Sequence, residues 1–423
     1  MRWSPGSKFV RILSVLPSLV RRFMQCAGRA PSGACAAAAI LTALAARPGH
    51  VFAQGTARSM DIETSIRAAG MGGATAAVWW GEPGVWGNPA ALANTRGIGW
   101  LDGRTQLVPG LASNVHFDSQ RWLIGGGGIG LSFMGEPLEG LGKLRLDYGA
   151  SSGTDPFGNP TGTFNSFEQV DAWGVGISPL RLFDTLRRLR RGGPVPAARS
   201  FDVTLGLQHK HTTVALTPLA LAGGAEADCY DWGTAARLSL LPDNSPTAPV
   251  HLDVSAGFAV LNANNAQFVF LNEDQASPPS RIRRMGCAVH AALPSPWSGG
   301  TENPVRLLVA QVHLLEVGLG FDSERITAGG VGPGYNVTRF GLEATLLGVL
   351  TGRIGHITDR TGEIVDNTSG YGIRVPIGRW GSVAYDHASV PQASGSGLPD
   401  VQRKGWSAWV DPARIWSSTR KSR

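Results

Sequence analysis

The sequence predicts an all-β fold, a transmembrane antiparallel up-and-down β-barrel of about fourteen strands, and three observations carry that expectation. Beyond residue 95, apolar and polar residues alternate with a period of two, the mark of strands covered by something apolar on one side. The composition runs to 57 glycines and 13 tryptophans among 423 residues, with only 16% charged, a bias seen in large β-structures. The connections between the alternating runs also differ in length in an ordered way, as they do in bacterial membrane barrels.

Residues 1–53 come first and carry the surplus charge. They hold Arg2, Lys8, Arg11, Arg21, Arg22, Arg29 and Arg47 with no Asp or Glu, and an apolar stretch runs from Ala34 to Ala46. Val51 and Ala53 satisfy the small-residue rule of a cleavage site, which predicts a signal peptide cut between Ala53 and Gln54. The apolar stretch is too short to span a bilayer, which takes roughly 20 residues. Without the leader the formal charge of +7 vanishes, leaving 31 basic and 31 acidic residues. A nucleic-acid partner needs clustered surplus positive charge and is therefore not expected. Cys229 and Cys287, the cysteines beyond the leader, have no metal-type spacing and are expected to stay apart.

The strands follow in order. "FDVTLGLQ" sets Phe201, Val203, Leu205 and Leu207 against Asp202, Thr204, Gly206 and Gln208. "VHLDVSAGFAV" sets Val250, Leu252, Val254 and Phe258 against His251, Asp253, Ser255 and Gly257. Marking every such run gives 97–107, 111–124, 128–137, 168–179, 201–216, 230–241, 250–262, 280–293, 304–317, 336–347, 349–358, 370–378, 380–389 and 403–411. The long connections 138–167, 263–279, 318–335, 359–369 and 390–402 then share one end of the barrel, expected to be the outer one. The connection 180–200 is long for the other end and reads as a short basic amphipathic helix.

Closure in lipid lets the inner face be polar. The residues expected there are Asp171, Asp202, Arg237, Asp253, Arg284, His290, Arg339, Glu343, Arg374 and Asp386. Both signs occur, which favours pairing across the lumen over an ion-selective pore. No catalytic motif, cofactor site or metal site is expected. "GGGGIG" at Gly125–Gly130 is followed by another strand and not by a helix, so it reads as a hairpin turn. His209 and His211 share a strand face without an evident third ligand.

Before the first strand stands "RAAGMGGA", with Arg67, Gly70, Met71, Gly72 and Gly73, followed by "WGNPAALA", with Asn88, Pro89 and Ala90. These residues resemble the amino-terminal signature of FadL-superfamily outer-membrane barrels, nearer to the PorV/PorQ-like branch. The resemblance implies fourteen strands and a segment that enters the lumen as a hatch or plug, with the Asn-Pro-Ala motif inside it; the alternative is that the segment caps the barrel floor. The closing run "YGIRVPIG" and "WGSVAYDHA" is similar in style. The chain departs from the family in "VWWGEPG" and in its polar end, which lacks a terminal aromatic. The expected organisation is a signal peptide over 1–53, a periplasmic or hatch segment over 54–95, the barrel over 96–412 and a polar tail over 413–423.

The resemblance implies a non-enzymatic protein in the outer membrane of a Gram-negative-type bacterium, in contact with lipid and lipopolysaccharide. The first expectation is a PorV/PorQ-like accessory of type IX secretion, whose partners would be secretion-machinery proteins. The alternative is a FadL-like channel whose ligand is a hydrophobic small molecule such as a fatty acid or hydrocarbon. A soluble periplasmic β-protein is the third reading. A channel calls for an apolar pocket of about 300–1,000 Å³ beneath the outer loops, an accessory for a filled lumen. The 263–279 connection, with its apolar patch Phe268–Leu271, suits either.

Overall fold

The computed structural model describes residues 56–135, 142–154, 157–191, 200–216, 224–241, 250–270, 276–293, 313–328, 334–377 and 380–412. The leader over 1–53 and the tail over 413–423 lie outside the described residues.

The strands in chain order are β1 (Gly97–Gln106), β2 (His116–Gly126), β3 (Ile129–Met134), β4 (Lys143–Thr154), β5 (Pro160–Ile177), β6 (Phe201–Ala215), β7 (Ala225–Leu241) and β8 (His251–Leu261). They continue with β9 (Phe268–Val269), β10 (Ala276–Ser277), β11 (Ser280–Leu293), β12 (Leu315–Ala328), β13 (Tyr335–Leu346), β14 (Leu350–Asp359), β15 (Ile364–Ile377), β16 (Gly381–Val390) and β17 (Val401–Val410). Neighbours pair antiparallel, and β1 joins both β17, through Ile98↔Val410, and β2, through Gly97↔Gly125. The sheet thus closes on itself, as it must where an unpaired edge would face hydrocarbon. β3 and β4 occupy one position between β2 and β5, so the ring has fourteen staves. β9 and β10 form a small separate hairpin.

The alternation sorts the residues as the period of two requires. On β6, Phe201, Leu205 and Leu207 are exposed, whereas Asp202, Thr204, Gln208 and Lys210 are buried. Trp232, Phe340, Ile354, Ile373 and Trp406 extend the exposed apolar belt around the ring. Greasy side chains outside and charges inside invert the arrangement of a soluble protein and match a lipid-facing wall. Among the described residues no helix is long and apolar enough to cross a membrane; the strands make the crossing. Toward the end that carries connection 262–279, called here the loop end, the outward residues turn polar, as with Arg104, Asp118, His211, Asp228, Arg325 and Asn336. The strands therefore run on past the lipid belt.

That protrusion corrects several sequence borders. The expected loop 138–167 contains β4 and the start of β5, and the expected loop 359–369 contains the start of β15. Most of the strand expected over 304–317 lies outside the described residues, and β12 covers Leu315–Ala328, most of what was read as the loop 318–335. Its inward residues Gly318, Gly320, Asp322 and Glu324 are small or charged because they face a charged interior, and the run therefore looks loop-like. At the end where β1 begins and β17 finishes, the terminal end, β5 is followed by the expected helix, α2 (Pro179–Arg191), and the chain leaves β11 at Leu293 and enters β12 at Leu315. Cys229 is buried, Cys287 is exposed, and both are free.

Residues 56–95 run the length of the barrel interior. Thr56 bridges to Pro279 at the loop end, and the segment reaches Gly97, where β1 starts, at the terminal end. What admits it is a row of wall glycines. A Cβ on Gly206 would overlap the backbone of Pro89 and Ala90, on Gly233 the Asn88 side chain, on Gly257 the Ala76 carbonyl and on Gly355 the Gly72 amide. On Gly320 it would come 2.8 Å from the Ala74 carbonyl and on Gly341 2.5 Å from that of Met71. Several of these glycines face one another across strands, as Gly176↔Gly206, Gly206↔Gly233, Gly257↔Gly286, Gly320↔Gly341 and Gly341↔Gly355. Backbone lies directly on backbone there, which any larger side chain would prevent.

Candidate functional site

The segment's motifs have local physical causes. Ser65 caps α1 (Ile66–Gly70) by accepting from the Ala68 amide at 3.1 Å. The helix then stops in two left-handed residues, Gly72 (φ 65°) and Gly73 (φ 78°). The Gly73 amide returns to the Ala68 carbonyl at 2.8 Å, a glycine-dependent helix end. Asn88 begins a 3₁₀ turn over Pro89–Asn94, its Oδ1 accepting from the Ala90 amide at 3.0 Å while Pro89 takes the first helical place. Its Nδ2 donates to the Ala76 carbonyl at 2.7 Å and to the Thr234 carbonyl of β7 at 3.2 Å. One side chain thus shapes the turn, ties it to the segment and ties both to the wall.

One side of the lumen is charged. Arg67 forks onto Glu343 with Nε–Oε2 2.8 Å and Nη2–Oε1 2.7 Å. Arg353 donates to the same carboxylate at 2.7 Å and to Asp386 at 2.6 Å, and the Trp80 indole adds a bond to Glu343 at 3.1 Å. Glu82 joins through Arg121, and its backbone carbonyl accepts from Arg67 at 3.0 Å. A second cluster lies beside it: Arg284 and Arg339 meet Glu324 at 2.6 and 2.8 Å, and Arg339 also donates to the Gly72 carbonyl at 3.0 Å. Asp322 accepts from the Thr75 and Ala76 amides at 2.8 and 2.9 Å.

The other side is apolar. Inward residues of β2, β4, β5 and β6, among them Phe117, Leu123, Leu144, Leu146, Val170 and Val214, pack with Met60, Trp86 and Leu92 of the segment and with Phe268 of the β9–β10 hairpin. The charges there are individually satisfied: Lys210 meets Asp231 at 2.7 Å and lies 4.4 Å over the Trp86 ring, and Glu168 accepts from the Ser59 amide at 2.7 Å and from Tyr148 at 2.8 Å.

Met134 of this surface lies where the third stave passes from β3 to β4. β2 stays continuous, pairing Arg121 with Met134 and Gln120 with Lys143. On the other flank β5 pairs Ala172 with Met134 and Gln169 with Arg145, so Val170 and Asp171 fall between the two ladders. Gly135, which follows β3, and Gly142, which precedes β4, touch.

Of the expected lumen residues, Asp202, Arg237, Asp253, Arg284, His290, Arg339, Glu343 and Asp386 lie on inward faces, and Arg67 meets Glu343 directly. Asp171 is a correction: Ala172, Gly174 and Gly176 take the inward positions against the segment, and Asp171 shares the outward face with exposed Trp173. The lumen is apolar at that height, so both faces of β5 read alike and the phase slipped by one. Arg374 keeps the inward parity of Gly372 but is exposed near the terminal end. Sequence reasoning missed Asp322, Glu324, Arg353, Glu82 and Arg121. The D-x-E spacing at Asp322 and Glu324 was available as a signal, hidden by the loop-like reading of that run.

No family model and no curated protein matches the chain. Among solved structures it is similar to the Pseudomonas putida toluene transporter TodX, with TM-score 0.40 and 11% identity over 86% of this chain and 100% of that one. The CymD monoaromatic hydrocarbon channel gives 0.39 and 9% over 81% and 96%. A Pseudomonas aeruginosa FadL homologue gives 0.37 and 9% over 82% and 98%.

Proposed function

We propose that the protein is an outer-membrane passage for a small hydrophobic molecule, with residues 56–95 as its hatch. The observation that carries the reading is the apolar inner surface that starts under the β9–β10 hairpin and includes Met134, where β3 hands over to β4. A hydrophobic guest entering at the loop end meets Phe268 and Met60, then Phe117, Leu146 and Val170, and comes to Met134. Each CH₂ that it buries along the way is worth about 0.8 kcal/mol. The charged side offers it nothing comparable and would have to be desolvated. Leaving sideways where Val170 and Asp171 fall between the two ladders delivers such a guest into lipid, its best solvent.

The segment has to shift for this to happen. The cavity lined by Ile66, Leu101, Arg121 and Met134 holds about 20 Å³, room for a water and far short of a ligand pocket. The same close filling favours a second reading, the PorV/PorQ-like secretion accessory, in which the barrel presents its loop end to partner proteins.

Uptake separates the two. Outer-membrane vesicles carrying the full chain are expected to take up a radiolabelled aromatic hydrocarbon several-fold faster than vesicles lacking it. Leu146→Gln should slow that uptake at an unchanged amount of folded barrel. Equal uptake by both kinds of vesicle would overturn the passage and leave the accessory reading.

A further inference from the structure

At the terminal end of the lumen, three strands bring together side chains that lie far apart in the chain. His251 and Asp253 share the inward face of β8, His290 of β11 stands in register with Asp253, and Glu316 of β12 is in register with Ala292, two residues on from His290. One donor atom from each of His251, Asp253 and His290 lies within 4.8 Å of the others. Asp253 is fully buried and His290 is 4% exposed.

The polar bookkeeping of this cluster is incomplete. His251 Nε2 lies 2.5 Å from Asp253 Oδ2, and Asp253 also takes the Ser239 hydroxyl. His251 Nδ1 and both ring nitrogens of His290 are buried without a hydrogen-bond partner. The nearest carboxylate oxygen to His290 Nε2 is that of Glu316, at 3.7 Å, beyond hydrogen-bond reach. Unsatisfied buried nitrogens cost about 1–3 kcal/mol each, and two such imidazoles beside two carboxylates are what a divalent ion requires. Trp80 stacks on His290 at 5.0 Å, and Trp79 meets both histidines edge-on at 5.3 and 6.4 Å, shielding the cluster from the rest of the lumen.

We propose that His251, Asp253 and His290 bind a divalent transition-metal ion, with Glu316 within reach as the fourth ligand. Two imidazoles and carboxylates suit zinc. Bonds of about 2.1 Å in a tetrahedron set ligand atoms about 3.4 Å apart, so the His251–Asp253 contact opens and the wider-spaced donors draw in as the ion enters. The spacing of 251, 253, 290 and 316 hides this set from a search for short ligand motifs, and the closure of the barrel assembles it.

The test is calorimetry of the full-length barrel in detergent, stripped with a chelator and titrated with zinc chloride. One ion per chain is expected, and cobalt(II) in its place should give the strong visible absorption of a tetrahedral site. His290→Ala and Asp253→Asn should each weaken binding at least 10-fold, while His209→Ala with His211→Ala, a pair on the outer face, should leave it unchanged. Heat-modifiable gel migration verifies that each variant is folded. Saturable binding that survives His290→Ala, or no saturable zinc binding by the folded wild type, would overturn the proposal.

Discussion

The two sides of the lumen hold the same segment by different means. On the charged side, Arg67 and Trp80 converge on Glu343, a carboxylate that also takes Arg353. Each bond there has a direction and a length, so the segment has one seat. On the apolar side, Met60, Trp86 and Leu92 rest on Phe117, Leu146 and Val214 through contacts that have area but little direction. For the passage proposed above, this division means that one side registers the segment and the other can be re-formed around something of similar chemistry.

The strongest way to break the comparison is Glu343→Ala. It strands Arg67 and Arg353, whose side chains are no more than 5% exposed, without their shared partner. Removal of one member of a buried pair costs roughly 3–5 kcal/mol, so the urea midpoint of the refolded barrel should fall steeply; a shift worth under about 1 kcal/mol would mean that the charged side does not register the segment.

A smaller effect sharpens the comparison at the loop end, where the segment carries an acid of its own. Burial pushes the Asp61 carboxyl up from 3.8 to about 6, against the pull of Arg58. Between those values the folded chain holds a proton that the unfolded chain has lost, so stability falls as pH rises through that window. The segment is therefore expected to be seated more firmly at pH 4 than at pH 7, by ~3 kcal/mol at most. Asp61→Asn should flatten that pH dependence, measured as urea midpoints at the two pH values, and an unaltered pH profile would count against it. The smallest effect belongs to Arg374→Ala. This side chain is exposed near the terminal end, and its loss should move the midpoint by no more than about 0.5 kcal/mol.

What could be read from the sequence depended on what each face touches. Within the lipid belt outward faces meet one uniform medium, and on β6 that rule places Phe201, Leu205 and Leu207 outside. Inward faces meet a folded segment whose own surface changes around the ring. Where that surface is apolar, as along β5, both faces look alike and Asp171 was placed on the wrong one. Where it is charged, as along β12, a true strand looked like a loop. The motif residues Gly72, Gly73 and Asn88 could be recognised, but their targets, Gly206, Gly233 and Gly355, are defined by contacts across the chain. A wall glycine carries no sign of what will lie on it.

The course of residues 56–95 also constrains the order of assembly. The segment enters at one mouth, beside Pro279, and leaves at the other, at Gly97, with wall backbone pressed against it along the way. Pulling such a chain through a finished cylinder would mean dragging Trp79, Trp80 and Trp86 past those contacts. The simpler course is to lay the segment on a sheet that is still open and then zip the β1–β17 seam, from Ile98↔Val410 to Thr105↔Arg403, as the last step. In that sequence of events the thread is wrapped by its container.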